Sequence, residues 1–170
     1  MPRRLLRDGR IVEDDWTYAT ETEESAETSL ILNLTQWQGE RDKWDAPGRR
    51  LGVVLLPAHK IDSLAADISR FELIALDFPG PSEGRGYSQA RMLREQLNFK
   101  GELRATGFVR RDQLFFMARC GFNSFELPDT DLAGAHAALS TFTWAYQPSN
   151  DAGLPLTLPH RPPPDIPASV

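Results

Sequence analysis

The chain has 170 residues, of which 41% are hydrophobic, 9% aromatic and 25% charged, and its formal net charge is −5. That profile fits a globular domain large enough to bury its own core, and it excludes collagen-like, disordered and disulfide-scaffold classes. One cysteine, Cys120, and three dispersed histidines, His59, His136 and His160, leave no internal disulfide, no four-thiolate iron–sulfur cluster and no evident metal centre.

In chain order, Leu5-Leu6-Arg7-Asp8-Gly9-Arg10-Ile11-Val12 reads as a small hairpin. Asp-Gly suits the positive dihedrals of a type I′ turn, and apolar pairs flank it on both sides. An acidic, Thr/Ser-rich stretch over 17–29 has little to bury and reads as a loop. Leu30–Leu34 is a short apolar run. Thr35 can cap a helix after it, with Trp37 and Trp44 on one face and Pro47-Gly48 as the stop. Leu51–Leu56 is continuously apolar and ends at Pro57, as a strand buried on both faces would be. Ile61, Leu64, Ala65 and Ile68 have helical spacing, so a helix is expected over 61–70. Leu73–Leu76 reads as another buried strand, followed by a glycine/proline loop over 79–86.

Ser88 can cap a helix whose inner side is Ala90, Leu93 and Leu97. Glu102–Thr106 is strand-like between Gly101 and Gly107. A helix over 109–120 turns Leu114, Met117 and Ala118 inward and stops at Gly121. Ser124–Leu127 reads as a strand. Asp129 or Thr130 then caps a helix carrying Leu132, Ala135 and Leu139. Phe142, Trp144 and Tyr146 alternate with smaller residues at strand period.

Short apolar strands alternating with helices spell an α/β fold of repeated βα units and a mainly parallel sheet. The units are too few for an eightfold barrel. An open doubly wound sheet, or a barrel fragment completed by a second copy, is expected. Three regions follow: a hairpin and acidic loop over 1–29, one α/β domain over 30–147, and a proline-rich tail over 148–170. Six prolines between 155 and 170 should keep that tail extended.

No window approaches the roughly 18 apolar residues of a membrane span, and Met1–Arg7 lacks a signal-peptide core. The reading is a cytoplasmic bacterial protein. Its net acidity argues against nucleic acid as a partner. The charge is unevenly placed, however. Residues 11–28 hold seven acids and no base, while 85–111 hold seven bases against Glu95 and Glu102. A basic belt on an acidic chain points to an anionic small molecule or an acidic protein partner. Solvated helix faces paired with the acidic segment give the same pattern.

In parallel sheets ligands bind beyond the carboxyl ends of the strands. The loops there hold His59 and Lys60, then 77–86, then 107–111, then 128–131. The segment Asp77 to Ser88 leaves a strand and enters a helix N-terminus, where free N–H groups favour anions. Gly84 and Gly86 would let a ligand approach the backbone, Arg85 could clamp an oxyanion, Tyr87 and Ser88 add hydroxyls, and Arg91 lies one turn on. It is neither a P-loop nor a dinucleotide fingerprint, since Gln89 stands where a third glycine belongs. A glycine-rich turn with a capped helix explains the same residues. Asp77 could serve as an acid or base, or cap its loop. Glu126 has the same two readings, because Arg104 could meet Glu102 or Glu126 on one sheet face as a structural ion pair. Cys120, at a helix end, reads as a packed core residue. No catalytic triad, Cys/His pair or cofactor motif is visible.

The run Gly84-Arg85-Gly86-Tyr87-Ser88-Gln89-Ala90-Arg91-Met92-Leu93-Arg94-Glu95, then Lys100–Ala105, Arg111–Phe122, Phe125-Glu126-Leu127 and Tyr146-Gln147, resembles a bacterial domain-of-unknown-function family. Its members are labelled as oxidoreductases of sulfite reduction and are encoded beside sulfite reductase and phosphoadenylyl-sulfate reductase. The likeness covers about residues 50–147. It departs at Pro81-Ser82-Glu83 and at Asn98-Phe99. The resemblance implies a pathway. Six-electron reduction of sulfite needs an iron–sulfur cluster that one cysteine cannot hold. The expected role is therefore an accessory protein beside the redox enzyme, acting through Gly84, Arg85, Gly86, Tyr87, Ser88, Arg91, Arg94 and Arg104. The rivals are a small-molecule enzyme holding a phosphate- or sulfate-bearing substrate at the Gly84–Ser88 loop, and a non-catalytic assembly subunit, which includes a homo-oligomer.

Overall fold

The structure is a computed structural model that describes residues 3–19, 28–140, 144–145 and 154–155. It is a mixed α/β fold. Strands β1 (Arg4–Arg7) and β2 (Arg10–Glu13) pair antiparallel across Asp8 and Gly9, whose φ values of 49° and 72° give the two-residue turn its hand. The other strands of the sheet are β3 (Thr17–Tyr18), β4 (Ser29–Asn33), β5 (Arg50–Leu55), β6 (Leu73–Phe78), β7 (Glu102–Gly107) and β8 (Ser124–Phe125). Five α-helices accompany them: α1 (Leu34–Gly39), α2 (Arg41–Trp44), α3 (Arg85–Glu95), α4 (Leu114–Cys120) and α5 (Asp129–Ser140).

The spatial order is β2-β1-β8-β7-β6-β5-β4-β3, and β4 to β8 pair in parallel with each chain-order neighbour. Strand order never reverses along this run, so there is no switch point and the doubly wound alternative is not adopted. Right-handed crossovers in a single direction put the helices on one face. Accordingly Leu32, Val53, Leu76 and Leu103 share one core with Trp37, Leu93, Met117 and Leu132. The alternate residues of the strands face the other way, where Ile31, Leu73 and Ala75 pack with Trp16.

The sheet curls. Its two outer strands, β2 and β3, are separated by Asp14, Asp15 and Trp16 alone. Four residue steps span at most about 14 Å, whereas eight flat strands would hold their edges about 34 Å apart. The segment 10–18 therefore pairs with β1 by its first half and with β4 by its second, spanning the open side of a curled, half-barrel sheet.

Several expectations are corrected. Thr17–Tyr18 and Ser29, expected in a loop, belong to β3 and β4. Ser88, expected as a helix cap, lies inside α3, whose N-cap is Gly84. Residues 61–70 form two 3₁₀ turns, Ile61–Leu64 and Ile68–Arg70, rather than one helix. The Ser63 hydroxyl donates to Lys60 O at 2.7 Å, and Asp67 accepts from the Trp37 indole at 2.9 Å, so polar contacts override the helical period. Trp37 and Trp44 are both buried but lie on two short helices, and the cap of the first is Asn33, not Thr35. Asn33 and Gln36 exchange reciprocal side chain–backbone hydrogen bonds of 2.8 Å. The segment over 109–120 begins as a 3₁₀ turn, Arg111–Gln113, before α4. The expected strand at 141–146 and the tail at 148–170 lie outside the described residues, apart from Trp144–Ala145, which pairs in parallel with Leu154–Pro155.

Candidate functional site

The carboxyl ends of β5 and β6 lead into the segments 56–62 and 79–84, and α3 starts beside them. Gly84 occupies the N-cap of α3, with open space where a side chain would stand. The position in front of the helix is filled from within. Glu83 Oε1 accepts the Arg85 backbone N–H and Nε–H, both at 3.0 Å, and Oε2 accepts from Arg85 Nη2 at 3.0 Å. Hydrogen bonds from Arg85 hold the Glu83 carboxyl below its ordinary range and raise the Arg85 guanidinium in turn. A carboxylate thus sits where the oxyanion was expected.

Gly86 has a different role from the one expected. A Cβ there would lie 2.5 Å from Phe78 Cζ, so this glycine lets α3 approach β6 rather than a ligand. Tyr87 is half-buried between Phe78 and Phe116, at ring separations of 5.3 and 5.1 Å. Burial pushes its phenol pKa up. Arg85 and Ser88 line one side of a cleft, and His59, Lys60 and Ile61 line the other. Gln89 forms part of its floor and ties its walls together, because Nε2 donates to Leu56 O at 3.2 Å and His59 O at 2.9 Å. The Leu56 N–H donates to His59 Nδ1 at 3.1 Å, which places the neutral ring's proton on Nε2. Arg91 is exposed on the same helix. Among the described residues neither Lys60 nor Arg91 forms an ion pair, whereas Arg85 is paired with Glu83; Lys60 and Arg85 line the cleft with Asp62, and Arg91 lies further along α3.

The other expected residues lie elsewhere. Arg94 is drawn into the N-terminal side of the sheet, where it donates to Gly121 O, Phe99 O and Gly101 O. Arg104 is fully buried on the face away from the helices. There it meets Asp14 at 3.0 Å, Glu102 at 2.8 Å and Glu126 at 3.2 Å. Burial alone would lower its pKa, but Glu102 and then Asp14 outweigh this and raise it. Glu126 also accepts from the Tyr18 hydroxyl at 2.8 Å, and burial, with that carboxylate, raises the Tyr18 phenol. Asp77, next to last in β6, lies on the same face as Arg104, 3.4 Å from Thr106 Oγ1. Asp77 and Glu126 are therefore not brought to the α3 cleft. In the sequence His59 and Lys60 are loop residues without further mark, and Gln89 stands where a dinucleotide fingerprint has its third glycine; its hold on the Leu56 and His59 carbonyls has no local signal.

No helix among the described residues is long and apolar enough to cross a membrane. Nor do the described residues contain a cluster of three His, Cys, Asp or Glu side chains able to hold a metal ion. Residues 52–157 match a family model described as a bacterial protein of unknown function, DUF934. No curated protein matches the chain.

Proposed function

We propose, for a chain that belongs to the bacterial family DUF934, an accessory role in assimilatory sulfite or sulfate reduction, exerted by docking on a redox enzyme of that pathway through the cationic side of α3. The pathway rests on the resemblance carried by Gly84 to Glu95 and the segments after it. The mode of action rests on one observation: Lys60, in the cleft with Arg85, and Arg91, further along α3, are exposed with no ion-pair partner among the described residues. Unpaired surface cations of one sign steer an acidic protein face and add little to folding. Glu83 favours this over a small oxyanion, which would have to displace a carboxylate already held by two nitrogens of Arg85. This chain brings a single, buried cysteine, so an iron–sulfur cluster held by four thiolates would be the partner's.

The test is a deletion strain grown on sulfate, sulfite or sulfide as sole sulfur source. Growth on sulfide alone is expected, with rescue by the wild-type gene and loss of rescue when Lys60→Glu and Arg91→Glu are combined. Normal growth of the deletion strain on all three sources would remove the pathway. Full rescue by the double variant would remove the surface.

A further inference from the structure

The end of the sheet opposite the α3 cleft holds a cavity of about 460 Å³. It lies where the chain enters β7 and β8, beside the Asp8-Gly9 turn, with Leu139 of α5 on its rim. This volume falls in the range of small-molecule sites, roughly 300–1,000 Å³. Its walls are Phe99, Phe122 and Phe125, all at most 4% exposed. Two cations stand in it, Arg94 and Lys100.

The two cations outnumber the one acid in the cavity, Asp8, whose charge acts on Arg94 without an ion-pair contact. The Arg94 guanidinium meets carbonyls instead of carboxylates: Nε–H donates to Gly121 O at 3.0 Å, and Nη1 donates to Phe99 O and Gly101 O at 2.7 and 2.9 Å. Both Nη1 hydrogens are spent. Nη2 has only a long contact, 3.4 Å, to Asn123 Oδ1, which already accepts the Leu103 N–H at 2.8 Å. Among the described residues no carboxylate comes within ion-pair distance of Arg94 or Lys100. The acid nearby, Asp8, is engaged by Asn123 Nδ2 at 3.1 Å. Burial lowers the Arg94 pKa more than the charge of Asp8 raises it, so a half-buried cation with a spare donor and only this distant counter-charge keeps a desolvation cost that an anion in the cavity would offset.

We infer that this cavity binds a small organic anion with an apolar, ring-sized body. Its carboxylate or phosphate head lies between Arg94 Nη2 and the Lys100 ammonium. Its body lies against Phe99, Phe122 and Phe125. The head selects negative charge, and the aromatic walls select an apolar body over a bare ion. The site shares no residue with the α3 cleft and does not depend on the sulfur-assimilation reading.

The probes are phenylacetate, acetate and benzylamine, titrated into the full chain and followed by backbone amide NMR. Phenylacetate is expected to bind saturably and to shift the amides of Gly9, Lys100 and Asn123. Acetate should bind at least about tenfold more weakly, having no body to bury. Benzylamine should leave those amides unmoved. Lys100→Glu, an exposed change that leaves the core untouched, should weaken phenylacetate about tenfold. Ala118→Leu, which narrows the cavity, should weaken it without altering the charge. The inference is overturned if phenylacetate does not saturate, if benzylamine or acetate binds as well, or if both folded variants bind like wild type.

Discussion

Arg104 is the residue on which the inner face of the sheet depends. Strand alternation makes its pairing with Glu102 and Glu126 readable in advance, because all three lie in or beside adjacent parallel strands. Asp14 was not readable. It comes from a segment 90 residues earlier that had every mark of a surface loop. With three carboxylates around one fully buried guanidinium, removing the cation leaves Asp14, Glu102 and Glu126 with only the partly exposed Arg3 and Arg7 as counter-charges. Arg104→Met should therefore cost about 3–5 kcal/mol, well beyond what an ion pair at the surface contributes. Urea unfolding at neutral pH checks this, and a loss below about 1 kcal/mol would mean that the acids relax into solvent. Gly86 teaches the complementary lesson. From sequence a glycine at a helix start suggests ligand approach, and only the position of the Phe78 ring shows that the approach is between elements.

At the scale of elements, the central parallel strands were legible because three apolar runs and two shorter strand-like segments, Glu102–Thr106 and Ser124–Leu127, alternate with stretches of helical spacing. The hairpin that ends in β2 was legible too, but the segment 14–18 after it was not, because Glu13-Asp14-Asp15 looks solvated. Yet Asp14 is turned into the sheet and Trp16 is 4% exposed against Ile31, Leu73 and Ala75. Nothing local marks those acids as internal, since their partners come from β1, β5 and β7. Likewise the 61–70 period was real, but it was overridden by the pull of Trp37 on Asp67. If Trp16 anchors the strap that spans the curled sheet, Trp16→Ala should cost about 3–5 kcal/mol. It should also speed amide exchange of Ala19, which donates to Ile31 O, before that of β6 and β7 in the middle of the sheet. Uniform acceleration across the sheet would mean that the strap is not a separate unit.

Across the whole molecule, charge does the closing that hydrogen-bonded strands leave undone. Asp15 accepts from Arg7 of β1 at 2.8 Å and from Arg50 of β5 at 2.8 Å, so one carboxylate ties together strands that lie four places apart in the sheet. Burial by itself would raise its pKa, but the hydrogen bonds from Arg50 and then Arg7 outweigh it and bring the group down to about 2, from an ordinary 3.8. A carboxylate depressed by folding stabilises fully above its unfolded pKa, and that stabilisation is lost as pH falls through the folded value. The window is therefore between about pH 4 and pH 2. The Asp15 side chain is 45% exposed, so screening keeps its share small, about 0.5–1 kcal/mol. Asp15→Asn should be less stable than wild type by that amount at pH 7, and the gap should close as both are titrated toward pH 2. Urea midpoints at pH 7, 4, 3 and 2.5 read this directly. A gap that stays constant across the series would assign the loss to packing of the segment and not to the charge that joins β1 to β5.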